Sequence, residues 1–245
     1  MTASFWVAVA QIIMIDILLG GDNAVVIALA CRQLPPHQRT KGIMWGTAGA
    51  IILRVILIFF ALTLLAIPYL KLVGAVLLIW IGVKLLTPDA DDDHSNIQGS
   101  DKLWGAVKTV IIADLVMSVD NVVGVAAAAE AGGGDHKFIL VVFGLLVSIP
   151  IVVWGSTFVI RLMDRFPWVI TLGAMLMGWI AGTMAVTDPV VLPYLPTYEL
   201  TGGASKLQSW VYQTAGVVGA FLVLLAGLAK KRFGSAKDLN RELPP

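Results

Sequence analysis

The 245-residue chain is poor in charge: only 13% of its residues are Asp, Glu, Lys or Arg, while 58% are hydrophobic. A soluble domain carries roughly a quarter charged residues, so this chain lacks the polar side chains that would cover a globular surface. The formal net charge of +1 gives no reason to expect a nucleic-acid partner. The composition indicates a polytopic membrane protein, surrounded by membrane lipid.

Cysteine and histidine are also scarce. The single cysteine, Cys31, excludes an intrachain disulfide and is typical of a small buried apolar residue. The three histidines, His37, His94 and His136, fall between the apolar segments, so no Cys/His cluster is available for Zn²⁺ or Cu⁺. No basic region precedes the first apolar segment, so we do not expect a cleaved signal peptide. We expect no organic cofactor.

Seven apolar segments are each long enough to cross roughly 30 Å of hydrocarbon. They lie near residues 4–30, 43–66, 69–86, 104–129, 138–160, 168–187 and 210–229. The predicted fold class is therefore an all-α polytopic membrane protein with seven transmembrane helices.

The distribution of Lys and Arg predicts the orientation. Alternate loops place 13 of these residues on one side of the membrane and three on the other. Because cytoplasmic loops carry an excess of Lys and Arg, we expect the N-terminus outside and the C-terminus in the cytoplasm. The remaining cation, Arg54, lies inside an apolar segment.

One motif occurs twice. The stretch DILLGGDN (16–23) recurs as DLVMSVDN (114–121) at an offset of 98, and residues 67–82 match 166–181 at an offset of 99. Each copy contains three apolar segments, so the second copy should enter the membrane inverted. Inverted repeats with a central binding site are characteristic of secondary transporters.

The repeat defines the predicted domain organisation. The seventh segment has no counterpart in the repeat, and the stretch between the copies is acidic and short of apolar residues. The predicted parts are a first three-helix repeat (1–87), an acidic cytoplasmic linker (88–102), a second inverted three-helix repeat (103–187), an external loop (188–208), a seventh transmembrane helix (209–230) and a basic cytoplasmic tail (231–245).

The repeated motifs place acids inside apolar segments. A carboxylate at the bilayer centre costs at least roughly 2.5–3.5 kcal/mol, so the acids should face inward and meet a cation. Carboxylate and amide oxygens suit Mn²⁺, Ca²⁺ and Mg²⁺, and the choice among these ions stays open. The predicted metal ligands are Asp16, Asp22, Asn23, Asp114, Asp120 and Asn121.

Neighbouring residues modify this prediction. Gly20 and Gly21 lower the cost of unwinding the first segment, which would turn Asp22 inward; the second copy, with Ser118 in place of Gly20, should be less broken. Met117 is either a thioether ligand that would favour Mn²⁺ or an apolar core residue. Close acids in a low dielectric cannot all ionise without a cation, so metal binding would release protons and allow metal/proton antiport.

Arg54 breaks the pseudo-symmetry, because its counterpart at the same offset is Val152. Two interpretations stay open. Arg54 is a counter-charge of the site, pairing with one of its acids or standing in for the cation when the site is empty. Alternatively, it forms an ion pair between helices that serves packing alone.

The stretches DILLGGDNAVVIALA and ADLVMSVDNVV resemble the paired DN motifs of the TerC family of integral membrane proteins, most closely its YjbE-type members. The likeness covers nearly the whole chain. It implies a multi-pass protein of the bacterial inner membrane that exports metal, with manganese efflux as its role. It also implies that the six Asp and Asn residues above match the family's metal-binding positions.

The sequence leaves two other functions to compare with metal export. The protein could deliver Mn²⁺ to exported metalloenzymes together with the secretion machinery, which the sequence does not separate from efflux. An intramembrane aspartyl protease is a remote alternative: Leu19 occupies the first glycine position of the GxGD motif, and no tyrosine precedes Asp16 or Asp114. We therefore expect a transporter and not an enzyme. Homo-oligomerisation stays open.

Overall fold

The computed structural model describes residues 13–14, 21–60, 67–87, 99–133, 137–199 and 205–241. Side chains are described for most of these residues, but not for 120–141 or 233–241. The described ranges contain seven helices, which follow the order of the seven apolar segments. They are α1 (Gly21–Cys31), α2 (Pro36–Phe59), α3 (Leu70–Leu86), α4 (Gly99–Gly133), α5 (Lys137–Arg165), α6 (Trp168–Val186) and α7 (Ser209–Arg241).

The helices confirm the predicted class of helical membrane protein. Within the described ranges, four stretches have the length and hydropathy of a membrane span: Pro36–Ile58, Leu145–Arg165, Trp168–Val186 and Ser209–Arg232. Large apolar side chains lie on the surface of these and neighbouring helices, where lipid rather than water would cover them. Examples are Val76, Trp154 and Leu225, which are 67%, 72% and 60% exposed.

Several helices extend beyond the segments that hydropathy predicts. α2 begins at Pro36, before the predicted residue 43, because proline suits the first turn of a helix. α4 begins at Gly99, within the stretch predicted as linker, and Asp101 in its first turn interacts favourably with the helix dipole. Hydropathy marks only the lipid-facing part of a helix, so polar extensions are missed. The rest of the predicted linker, 88–98, lies outside the described residues.

The chain forms two compact units, and each takes part of both sequence copies. The first unit consists of Met1–Lys71 and Ile97–Pro167, and thus contains α1, α2, α4 and α5. The second consists of Leu72–Asn96 and Trp168–Pro245, and contains nearly all of α3 together with α6 and α7. Compact packing therefore groups the first two segments of each copy, and the third segment of each copy with the seventh.

Glycines bring α2 close to α4 in the first unit. A Cβ atom on Gly46 would lie 3.0 Å from the side chain of Val110, and one on Gly49 would lie 2.6 Å from that of Ile111. Small residues allow such close approach between membrane helices. Further along the same interface, the buried Leu57 packs against Leu115.

These contacts define the directions of the helices within the first unit. Contacts from Gly46 to Leu57 on α2 meet successively later residues of α4, so the two helices run parallel. Cys31, at the end of α1, lies beside Gly42, which in turn faces Leu103 near the start of α4. Asp22, at the start of α1, lies near Asp114 in the middle of α4. α1 and α4 therefore run antiparallel.

Arg39 joins the connection between α1 and α2 to the end of α5. Its guanidinium donates to the carbonyls of Arg32 and Leu34 at 3.0 and 3.1 Å, and to the carboxylate of Asp164 at 2.8 Å. Burial lowers the pKa of the Arg32 guanidinium, and the nearby charge of Asp164 opposes this effect. The end of α1 and the start of α2 thus meet the end of α5 on one side of the unit.

The second unit is built on an antiparallel crossing of α6 and α7. Gly178 lies against the backbone of Gly219, and Gly182 lies against the backbone of Ala215. α3 packs on the same pair, because a Cβ atom on Gly82 would be 3.1 Å from Val223. Backbones can approach this closely only where side chains are absent.

The segment between α6 and α7 contains a buried acid and short elements of regular structure. The fully buried Asp188 accepts hydrogen bonds from the backbone N–H groups of Val190 at 2.9 Å and of Leu72 at 3.3 Å. Leu72 belongs to the first turn of α3, so Asp188 caps that helix. A short 3₁₀ turn (Leu192–Tyr194) and an antiparallel hairpin of β1 (Thr197–Glu199) and β2 (Ser205–Leu207) follow.

Candidate functional site

Both copies of the DN motif lie in the first unit. Asp22 and Asn23 follow Gly21, the first described residue of α1, and Asp114 lies near the middle of α4. α4 continues through Ser118 and Val119, so the second copy of the motif lies on an unbroken helix. This continuity agrees with the expectation for the second copy.

Other predicted site residues are only partly placed. Asp16 and Gly20 lie outside the described residues, so the predicted helix break at Gly20 and Gly21 stays a prediction. Asp120 and Asn121 belong to α4, but their side chains are outside the described part of the chain. Whether these residues join Asp22 and Asp114 therefore stays a prediction.

A closed set of hydrogen bonds surrounds Asp114. The Nη2 atom of Arg54 donates to Asp114 Oδ1 at 2.5 Å, and the Nε atom of Arg54 donates to Ser118 Oγ at 3.2 Å. Ser118 Oγ in turn donates to Asp114 Oδ2 at 3.1 Å. Arg54 and Asp114 are each 6% exposed, and Ser118 is fully buried. Both oxygens of this carboxylate are thus bonded by side chains of the protein.

Asp22 belongs to the same charged cluster. Its carboxylate lies within range of the charges of both Arg54 and Asp114, although no direct bond joins it to either in the part of the chain that the structure describes. Its Oδ1 atom accepts a hydrogen bond from the backbone N–H of Asn23 at 2.8 Å. Packing has therefore brought together one acid from each copy of the motif, which lie 92 residues apart in the sequence.

Two buried oxygens, one of them next to Asp22 in the sequence, have no partner among the described residues. Asn23 is 4% exposed, and its Oδ1 atom has no hydrogen bond to any described residue. Thr47, seven residues before Arg54 and so on the same face of α2, is 2% exposed, and its Oγ1 is likewise unpaired within the described ranges. A buried unpaired oxygen costs about 1–3 kcal/mol, which a bound cation or its water could offset.

The described side chains alone do not complete a metal site. Within the described ranges, no group of three or more His, Cys, Asp and Glu side chains is close enough to hold a metal. Asp22 and Asp114 supply two carboxylates, and Asn23 supplies an amide oxygen. A complete set of ligands would need Asp16 or Asp120 as well.

The sulfur-containing residues Met117 and Cys31 differ in their distance from the cluster along the helices. Met117 is 3% exposed on α4, and no described contact places its sulfur among the oxygens of the cluster. It fits the interpretation of a core residue as well as that of a ligand. Cys31 is fully buried at the far end of α1 from Asp22, so it lies away from the cluster.

Ser118 is the functional residue that sequence reasoning missed. The sequence marks it only as the replacement of Gly20, whereas the structure places its hydroxyl between Arg54 and Asp114. Its spacing of four residues from Asp114 puts both side chains on one helix face. That spacing, on a segment with a buried acid, is the signal that could have identified it.

Apolar helices that enclose a buried cluster of charges define an integral membrane protein with an internal polar site. The chain belongs to the TerC family: residues 1–234 match the family described as "Integral membrane protein TerC family". The predicted family is thereby confirmed.

Relatives in two bacteria agree with this assignment. The "Uncharacterized membrane protein YjbE" of Bacillus subtilis is 40% identical over 188 residues, which cover 77% of this chain and 83% of that protein. YceF of the same organism is 28% identical over 188 residues, covering 74% and 71%. The "inner membrane protein YgdQ" of Escherichia coli K12 is 23% identical over 185 residues, covering 66% and 73%. No solved structure matches the chain.

Proposed function

We propose that the protein is a divalent-cation transporter that carries Mn²⁺ out of the bacterial cytoplasm. One observation carries the proposal: Asp22 and Asp114, one from each copy of the motif, share a single buried arginine, Arg54. Two carboxylates against one guanidinium leave an excess of negative charge within membrane helices. Such a charge is costly unless a cation binds, so the cluster is suited to a positively charged substrate.

The chemistry of the oxygens supports a divalent metal as this substrate. Carboxylates and the unpaired amide oxygen of Asn23 are ligands for Mn²⁺, Ca²⁺ and Mg²⁺. Asp16, Asp120 and Asn121 complete the proposed site. Mn²⁺ is preferred among the three ions because of the resemblance to metal exporters of the TerC family. Proton release on metal binding would make the transport an antiport with protons.

Helix directions support the proposed inverted repeat of seven crossings. α1 and α4 are the first helices of the two copies, and they run antiparallel within the first unit. The ends that lie together near Asp164 and Leu103 carry cations such as Arg32, Arg39 and Lys102. By the excess of positive charge expected on the inner side, we place these ends in the cytoplasm and the N-terminus outside.

Cysteine labelling tests this orientation. In a Cys31→Ala background, Lys206→Cys in β2 should react with a membrane-impermeant maleimide added to intact cells. Lys237→Cys in the C-terminal tail should react only after the cells are permeabilised. The reverse pattern would contradict the orientation, and labelling of both sites from outside would contradict the crossing of the membrane by α7.

The arginine also favours transport over proteolysis. In an aspartyl protease the two carboxylates share one proton, because neither is neutralised by a fixed cation. Here Arg54 and Ser118 hold both oxygens of Asp114. A carboxylate held in this way is poorly suited to activate water.

Transport into proteoliposomes tests the function directly. We expect flux of Mn²⁺ by the purified protein, and a loss of roughly tenfold or more in Asp22→Asn and in Asp120→Asn, because each removes a charged ligand worth at least about 1.4 kcal/mol. Asp101→Asn is the matched control, since it makes the same change at an exposed site on α4. A panel with Ca²⁺ and Mg²⁺ in place of Mn²⁺ identifies the substrate.

Several outcomes would contradict parts of the proposal. Unchanged Mn²⁺ flux in both site variants would contradict the site, and absence of divalent-cation flux in the unmodified protein would contradict transport. Flux that is indifferent to an imposed pH gradient would exclude proton coupling. In a deletion strain, efflux predicts a rise of intracellular Mn²⁺, whereas delivery to exported metalloenzymes predicts a fall in the activity of secreted enzymes.

A further inference from the structure

We infer that Arg54 is a built-in substitute cation: it occupies the carboxylate of Asp114 when no metal is bound, and it leaves that carboxylate when a divalent cation arrives. The inference rests on the proposed function and gives Arg54 a positioning role within it. It chooses between the two interpretations that the sequence leaves open.

The geometry around Asp114 is that of an occupied binding site. Arg54 holds Oδ1 at 2.5 Å, and Ser118 holds Oδ2 at 3.1 Å while accepting a hydrogen bond from Arg54. A planar guanidinium with fixed donors can satisfy a carboxylate in this way without water. The guanidinium and the hydroxyl can thus satisfy this acid inside the unit by themselves.

Arg54 and a divalent cation cannot both occupy this carboxylate at low cost. A metal bound to Asp114 would lie within a few ångströms of the guanidinium, and like charges repel strongly where little water screens them. Binding at Asp114 therefore requires Arg54 to move away. Arg54 competes with the substrate, and its return to Asp114 helps to expel the substrate.

The sequence repeat supports this role independently. Asp114 corresponds to Asp16 at the offset of 98, and by the same offset Arg54 corresponds to Val152 and Ser118 to Gly20. Arg54 and Ser118, which both bond Asp114, are thus residues at which the copies differ. Valine has no hydrogen-bond donor in its side chain, and glycine has no side chain. An ion pair that served packing alone would not require these two donors to be present in one copy and absent from the other.

This asymmetry implies different roles for Asp16 and Asp114. In the second copy Asp114 carries an internal cation, whereas in the first copy Asp16 has no equivalent donors at the matching positions. A metal-free protein with Arg54 on Asp114 can change conformation without an unpaired charge at that position. A protein without Arg54 would need bound metal to neutralise Asp114 before it could do so.

Two kinds of flux separate these states. Proteoliposomes are loaded with radioactive Mn²⁺, and release is measured either into metal-free buffer (net efflux) or into buffer with unlabelled Mn²⁺ (exchange). Exchange uses only metal-bound states, whereas net efflux requires the metal-free protein to return. For Arg54→Gln we expect exchange within about threefold of the unmodified protein but net efflux slowed roughly tenfold or more, because an unpaired charge now opposes the return step.

Arg39→Gln provides the matched control, since it makes the same substitution on α2 in an ion pair that is largely exposed. Both fluxes should be unchanged in this variant. A second readout does not depend on transport: Mn²⁺ should raise the melting temperature of Arg54→Gln more than that of the unmodified protein, because the metal now replaces a missing cation.

The outcomes distinguish this inference from the proposed function. Absence of Mn²⁺ flux in the unmodified protein would overturn both. If the unmodified protein transports Mn²⁺, unimpaired net efflux in Arg54→Gln would overturn the inference alone, as would equal loss of exchange and net efflux in a folded variant. If Arg54→Gln does not fold, Arg54→Lys decides: it keeps the charge but not the planar arrangement of donors, so net efflux should fall by less than about tenfold, and a larger loss would overturn the inference.

Discussion

Replacing Asp114 by alanine is expected to destabilise the protein by about 3–5 kcal/mol, because it removes a carboxylate that a buried arginine binds directly. Arg54 is 6% exposed, and it donates hydrogen bonds to Asp114 and to Ser118, a neutral hydroxyl. The hydroxyl cannot replace the negative charge of this carboxylate. The effect should be among the largest of any single substitution in the first unit.

Unfolding by titration with sodium dodecyl sulfate in mixed micelles would measure this change. Asp164→Ala is the matched control, because it breaks the pair with Arg39 at a carboxylate that is 54% exposed, where a pair contributes about 0–1 kcal/mol. The double variant Arg54→Met/Asp114→Ala should recover part of the lost stability, since the guanidinium is removed together with the carboxylate that it binds. Equal effects of Asp114→Ala and Asp164→Ala would contradict a buried, charged pair.

Hydropathy and the repeat predicted much of this fold because lipid imposes strong constraints on sequence. The helix bounds at Leu70–Leu86 and Trp168–Val186 agree closely with the predicted segments. The acids were identified as a group for the same reason: a charge in an apolar segment is conspicuous, and it needs a partner. Arg54 is conspicuous for the same reason, because it is a cation within an apolar segment.

The sequence could not predict which side chains meet. Any of the four intramembrane acids could have paired with Arg54, and the choice of Asp114 depends on the parallel packing of α2 on α4. Ser118 was missed because a hydroxyl in an apolar helix usually bonds the backbone of its own helix. Glycines at helical spacing on α2 and α6 are typical of close-packed faces, but which helix packs on each face is a property of the folded chain.

Gly178→Ala, at the crossing of α6 and α7, should destabilise the second unit by roughly 1–3 kcal/mol. A Cβ atom at this position would collide with the carbonyl group of Gly219, and a backbone atom cannot move aside as a flexible side chain can. The two helices would have to separate along their contact. Titration with sodium dodecyl sulfate in mixed micelles would detect this loss as an earlier unfolding transition.

Gly105→Ala separates the collision from the general effect of replacing glycine in a helix. A Cβ atom on Gly105 in α4 would meet no described atom within 4 Å, so this variant should be neutral or stabilised by up to about 1 kcal/mol through helix propensity. The same chemical change is therefore expected to have opposite signs at Gly105 and Gly178. Stabilisation at both positions would contradict the glycine crossing. Destabilisation at Gly178 alone would show that α6 and α7 are held together by the backbone approach that Gly178 and Gly219 allow.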